Sequence, residues 1–114
     1  IIMSLIKNGY MVKVLDSKST KQEVRHCLDT CYWFILCANK PIINASQFLK
    51  GSYVLDCGYS IVDGKACGNV IYDITSEEIN DDKVTISDIH NGVNLLTRIG
   101  LLYNLLDFYL EVGI

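Results

Sequence analysis

At 114 residues the chain has room for one domain or part of one, since a typical domain runs roughly 100–150 residues. Half of the residues are apolar and 20% are charged, which supports a packed core and excludes a disordered or low-complexity chain. Thirteen acidic against ten basic residues leave a net charge of −3 without clustered Lys and Arg, so no nucleic-acid footprint is expected.

In chain order, Ile1–Asn8 is apolar with a polar end and predicts a helix that Gly9 stops. Tyr10–Leu15, with Val12 and Val14, predicts a strand closed by Asp16. Ser19 with Gln22 forms a capping-box pattern that opens a helix through about Leu28. The apolar run Cys31–Ala38 predicts a strand buried on both faces, as in a parallel sheet. Asn44 and Gln47 make a weaker cap before a short helix ending at Gly51, and Ser52–Cys57 predicts the next strand. Asp63-Gly64 is a tight-turn signal flanked by Ile61 and Ala66, and Cys67–Tyr72 returns from it. Ser76–Asn80 predicts one helical turn and Val84–Ile86 a short strand. Asn94–Glu111 predicts a long helix carrying Leu95, Ile99, Leu102, Leu106 and Tyr109 at helical spacing. This alternation predicts an α/β fold, a Rossmann-like and mostly parallel sheet with helices on both faces. Residues 1–114 then form a partial domain, with the first strand and the Gly-rich phosphate loop expected before Ile1.

The five cysteines are Cys27, Cys31, Cys37, Cys57 and Cys67. The odd count and the apolar surroundings of three of them predict buried free thiols in a reducing compartment, and a cytoplasmic location. Cys57 and Cys67 fall in facing strand regions and are expected to be core thiols without a base partner. No metal is expected, because four N or S ligands at zinc spacing are missing. No membrane span is expected either: the longest apolar stretch, Asn94–Val112, is broken by Arg98, Asp107 and Glu111.

Several segments match a known pattern in the right order. Val54-Leu55-Asp56-Cys57-Gly58-Tyr59-Ser60 stands against V-I-D-V-G-I-N, Asp63-Gly64-Lys65 against D-G-K, and Cys67-Gly68-Asn69-Val70 against V-G-D-V. Leu5-Ile6-Lys7-Asn8-Gly9, Lys40-Pro41, and Asn91-Gly92-Val93 with Thr97 add weaker matches. From about Ile1 to Glu111 the chain therefore resembles the nucleotide-binding domain of the methylenetetrahydrofolate dehydrogenase/methenyltetrahydrofolate cyclohydrolase family.

The resemblance implies NAD or NADP as cofactor, a tetrahydrofolate derivative as substrate, and a homodimer. It implies cofactor contacts at Asp16, Ser17, Ala38, Asn39, Gly58, Tyr59, Ser60 and Thr97, and substrate-side contacts at His90, Asn91, Gly92 and Val93. The catalytic Lys and Tyr of the family lie in a preceding folate domain, so no residue of this chain is assigned a catalytic role. Asp16 suits the ribose hydroxyls and favours NAD, and it reads equally as a turn residue feeding the next helix. Gly58 reads equally as a bulge before the hairpin, Asn39 as a loop residue, His90 as a solvated loop histidine, and Asn69 as structural. The chain departs from the family where Asp88 and His90 replace prolines, Asn91 and Asn94 replace glycines, Leu95 replaces the last proline, Ser60 replaces an Asn, Asn39 replaces a glycine, Asn69 replaces the acidic residue of V-G-D-V, and Leu15-Asp16-Ser17 stands where C-H-S is usual. Two readings follow: the cofactor part of a working enzyme, or a non-catalytic binding or dimerisation module descended from it. An unrelated Rossmann-like regulatory domain is a third.

Overall fold

The computed structural model describes residues 2–75, 84–88 and 92–112. It forms two compact units, Ile1–Cys31 and Tyr32–Ile114.

In the first unit, α1 (Ile2–Lys7) ends where Asn8 Nδ2 donates to the Ser4 carbonyl at 2.8 Å and Gly9 takes φ +85°. A positive φ at the helix exit favours glycine, because a Cβ there crowds the backbone. The strand predicted over Tyr10–Leu15 is not formed. A strand needs a neighbour to satisfy its alternating N–H and C=O groups, and the described residues of this unit hold no second strand. Met11 and Val14 are exposed accordingly. The helix that follows, α2 (Lys21–Thr30), begins one residue later than the predicted cap. Thr20, not Ser19, is the N-cap: its hydroxyl accepts from Glu23 N–H at 3.1 Å, and the Glu23 carboxylate accepts from Thr20 N–H at 3.0 Å. Ser19 instead accepts from Asp16 N–H at 2.9 Å. The buried residues of α2 are Cys27 and Leu28.

The second unit is built on a parallel sheet of β1 (Trp33–Leu36), β3 (Ser52–Asp56) and β7 (Val84–Ile86), in the order β1-β3-β7. The α/β class and the parallel sheet expected from the alternation are therefore present. Phe34 pairs with Val54, Leu36 with Asp56, and Ser52 with Val84, which sets these residues on one face. Leu36, Val54 and Val84 are buried there, and Phe34 meets Phe48 edge-on with ring centroids 5.0 Å apart. Ala45 and Phe48 join this core from a short 3-10 helix, Ala45–Gln47, that follows β2 (Ile43–Asn44). The entry to that turn is tied by Asn44 N–H donating to Gln47 Oε1 at 2.9 Å. β2 pairs in parallel with β6 (Val70–Ile71), which brings the buried Val70 onto the same core.

The opposite face differs from expectation. Cys31–Ala38 was expected to be buried on both sides, yet burial alternates along β3, and Trp33, Ile35, Tyr53 and Leu55 are exposed. Trp33 and Tyr53 stack across the two strands at 4.8 Å, so the exposed residues share a face and lie in register.

β4 (Ser60–Val62) and β5 (Lys65–Cys67) form the antiparallel hairpin predicted around Asp63-Gly64. Its two turn residues have φ +51° and +77°, the paired left-handed angles of the turn whose twist matches a hairpin. The predicted turn at Ser76–Asn80 lies outside the described residues. The last helix, α3 (Val93–Val112), matches its predicted span within a residue at each end. Leu95, Ile99, Leu102, Leu106 and Tyr109 are exposed along it, and so are Leu96, Leu101, Leu105, Phe108 and Leu110 on its other sides; none of its residues is buried. Among the described residues no helix is long and apolar enough to cross a membrane.

Candidate functional site

The second unit concentrates its polar order at the carboxyl ends of β1, β3 and β7. In open α/β sheets this is the edge where ligands bind. Asp56, the last residue of β3, is fully buried. Its carboxyl oxygens accept from Asn69 N–H at 3.0 and 2.9 Å, from Gly58 N–H at 3.0 Å, and from Val70 N–H at 3.3 Å. Its own N–H donates to Ser87 Oγ, just beyond β7, at 2.8 Å. A buried polar group is stable only when its hydrogen-bonding capacity is met, and here backbone N–H groups meet it.

Asn69 is the second clasp, also fully buried. Its Oδ1 accepts from Ala38 N–H at 2.8 Å, and its Nδ2 donates to the carbonyls of Ala38 and Lys40, both at 2.9 Å. One side chain thus fixes the loop leaving β1, while Asp56 fixes the loop leaving β3. Gly58 lies between them: a Cβ on Gly58 would fall 2.1 Å from Asn69 Nδ2. Its glycine is required for room, since its φ is not positive. Gly58 thus has a packing reason to be glycine, and the structural reading of Asn69 gains its atoms. Neither Asp56 nor Ser87 was singled out as a structural clasp. The signal for Asp56 was a single carboxylate closing an alternating strand, which only the fold connects to Asn69.

Of the predicted site residues, Ala38, Asn39, Gly58, Tyr59 and Ser60 lie together on these two clasped loops. Asn39 and Tyr59 are exposed, and Asn39 keeps an ordinary backbone angle. Ser60 Oγ lies 3.3 Å from Cys67 Sγ across the hairpin. The thiols depart from expectation: Cys27 is buried, Cys37 is exposed, and Cys31, Cys57 and Cys67 are half-buried. Burial above all, and then the neighbouring Cys37, push the Cys57 thiol up to about 11.

Gly92 rests against the chain at Asp88, where a Cβ would fall 2.1 Å from the Asp88 carbonyl oxygen. Val93 starts α3, and the Thr97 hydroxyl donates to the Val93 carbonyl at 2.9 Å within that helix. His90 and Asn91 lie outside the described residues. In the first unit, Asp16 and Ser17 are exposed on a turn. Asp16 Oδ1 accepts from Lys18 N–H at 2.8 Å, and its carbonyl accepts from Ser19 N–H at 3.1 Å. Asp16 therefore organises the turn before α2 and does not end a strand.

Comparison with known proteins agrees with the motif resemblance. The chain is 29% identical over 109 residues to the bifunctional protein FolD of Sulfurihydrogenibium sp. (strain YO3AOP1), a match that covers 94% of this chain and 37% of that protein. It is also similar to the solved bifunctional 5,10-methylenetetrahydrofolate dehydrogenase/cyclohydrolase of Thermoplasma acidophilum. There the TM-score is 0.64 at 22% identity, over 80% of this chain and 31% of the other. The chain thus spans about a third of the length of either protein. No family model matches it.

Proposed function

We propose that this chain is the nucleotide-binding part of a bifunctional methylenetetrahydrofolate dehydrogenase and methenyltetrahydrofolate cyclohydrolase of one-carbon metabolism, working as a cytoplasmic homodimer. The observation that carries the reading is the coincidence of the matched motifs with the clasped sheet edge. Asp56 and Gly58, which match the pattern, and Asn69, which stands in the matched segment where the pattern has an acidic residue, are those that lock the loops after β1 and β3.

NAD or NADP supplies the hydride acceptor when bound. Toward it, the loop backbone at Gly58-Tyr59-Ser60 offers rigid polar groups for a carboxamide, because Asp56 already holds Gly58 N–H. Ala38 and Asn39 line the neighbouring loop, fixed by Asn69. In the first unit the exposed carboxylate of Asp16, stiffened by its own turn, is an acceptor for ribose hydroxyls and favours NAD. Within the second unit, the fixed backbone groups of these two loops fit the polar edge of a nicotinamide. The acid–base groups that act on the folate belong to a further domain in this reading, and the second unit contributes Gly92 and Val93 on the folate side.

A second reading, a non-catalytic module of the same descent, is favoured by one feature. Asp88, Asn94 and Leu95 stand where the family pattern has helix-breaking or small residues, and Thr97 spends its hydroxyl on Val93.

Calorimetric titration of the native protein with NAD and with NADP separates the two. Binding of one nucleotide, with Asp16→Ala weakening NAD by about tenfold or more for the loss of a charge-assisted hydrogen bond, supports the enzyme reading. Binding of neither overturns it.

A further inference from the structure

We propose that Cys37 and Cys57 form a dithiol modification site, at which a low-molecular-weight disulfide such as oxidised glutathione closes a cross-strand disulfide. The inference is independent of the functional reading, since it rests on the sheet alone.

The register makes the two cysteines neighbours. Leu36 and Asp56 are the last paired residues of β1 and β3, and the ladder continues one step further, with Cys57 N–H donating to the Leu36 carbonyl at 2.8 Å. Cys37 and Cys57 are therefore the next partners. Neighbouring strands lie about 4.8 Å apart, inside the Cα separation of about 4.4–6.8 Å that a disulfide spans. In a parallel pair, registered residues point to the same face. Trp33 and Tyr53, four residues back on each strand, demonstrate that shared face by stacking. Cys37 is also the neighbouring group that, after burial, most raises the Cys57 thiol, as adjacent thiols do.

Access and rigidity complete the site. Cys37 is exposed and Cys57 half-buried, so a reagent reaches Cys37 first. Cys57, whose thiol burial holds protonated, is slow to attack a reagent from solution, and it resolves the adduct on Cys37 through its adjacent place in the register. The loops carrying them are clasped by Asn69 at Ala38 and by Asp56 at Gly58, so closure demands little backbone movement. Among the five cysteines, Cys67 faces Ser60 across the hairpin instead.

The step balances. The Cys37 thiol releases its proton and attacks one sulfur of the reagent. The reagent's S–S bond breaks, and one small thiolate leaves and takes up a proton. Cys57 then loses its proton and attacks the Cys37 sulfur of the mixed disulfide, expelling the second small thiolate, which is also protonated. Two protein thiols are oxidised to one disulfide, and one reagent disulfide is reduced to two thiols.

The test is to incubate the native protein with oxidised glutathione, block remaining thiols, and map the products by intact mass and peptide mass spectrometry. The expected product is a peptide pair linked through Cys37 and Cys57 that reductant reverses. Cys57→Ser is expected to stop at the glutathione adduct on Cys37, and Cys37→Ser to lose the link without accumulating an adduct on Cys57. Circular dichroism of each reduced variant checks its fold, and Cys57→Ala replaces Cys57→Ser should the latter unfold. A link through another pair, a wild-type protein that stops at the mixed adduct, or thiols that stay unmodified would each overturn the proposal.

Discussion

Gly58→Ala tests the double clasp directly. The new Cβ would fall 2.1, 2.2 and 2.3 Å from Asn69 Nδ2, Cγ and Oδ1. No real contact survives at those distances, so the Asn69 side chain must leave. It leaves behind three hydrogen bonds, to Ala38 N–H and to the carbonyls of Ala38 and Lys40. At about 0.5–1.5 kcal/mol net for each bond, the loss is about 1.5–4.5 kcal/mol. Asn69→Ala alone forfeits the same bonds and is expected to cost a similar amount. In the Asn69→Ala background, however, the three atoms that Gly58→Ala strikes are absent, and it is expected to cost less than about 1 kcal/mol, because the interaction it disrupts is already gone. Urea denaturation of the two single variants and the double variant measures this coupling. Additive losses in the double variant, or a Gly58→Ala cost below about 1 kcal/mol in the wild-type background, would refute the clasp.

Three further outcomes follow from the local geometry. Thr20→Ala is expected to destabilise α2 by about 1 kcal/mol through loss of its N-cap, whereas Ser19→Ala leaves the cap intact and loosens the Asp16 turn; helical circular dichroism on heating distinguishes them. Gly64→Ala, at φ +77°, is expected to cost about 1–2 kcal/mol in denaturant melts, since an L side chain in that region crowds its own carbonyl. Asp73 accepts from the Ser46 hydroxyl and from Ser46 N–H, and these two bonds hold its carboxyl below the usual carboxylate value. A depressed carboxylate favours the folded state above its ordinary titration range and loses that contribution as pH falls through the lowered folded value. NMR titration is expected to show Asp73 protonating below its ordinary value, and Ser46→Ala to move it upward; an unchanged titration would refute the pairing.

Much of the architecture was legible because local chemistry and tertiary need coincide. Val84–Ile86 and the Asp63-Gly64 hairpin appear where turn chemistry and β-branched residues put them. Where the reading failed, a neighbour decided the outcome. Tyr10–Leu15 has strand composition, but composition supplies no partner for its backbone. The Ser19 box lost to Thr20 because Ser19 was drawn into the Asp16 turn, a competition between two short-range bonds that spacing cannot rank. The clasp was less legible still. Asp56 and Asn69 are thirteen residues apart, and only the sheet edge turns them into one network joining three loops. The dithiol was hidden for the same reason, since Cys37 and Cys57 become neighbours only once strand register is set. Motif resemblance, by contrast, located Gly58, although the atoms that need its missing Cβ belong to Asn69.

The measurement that tests the account's central claim most directly is hydride transfer by the native protein. Methylenetetrahydrofolate would be supplied with NAD and, separately, with NADP, and formation of the reduced nicotinamide followed by its absorbance. The account predicts turnover with at least one nucleotide, a preference for NAD that Asp16→Ala diminishes, and a raised KM for nucleotide in Ser60→Ala. A native protein that folds, yet reduces neither nucleotide and binds neither, would contradict it and leave the non-catalytic module as the surviving reading.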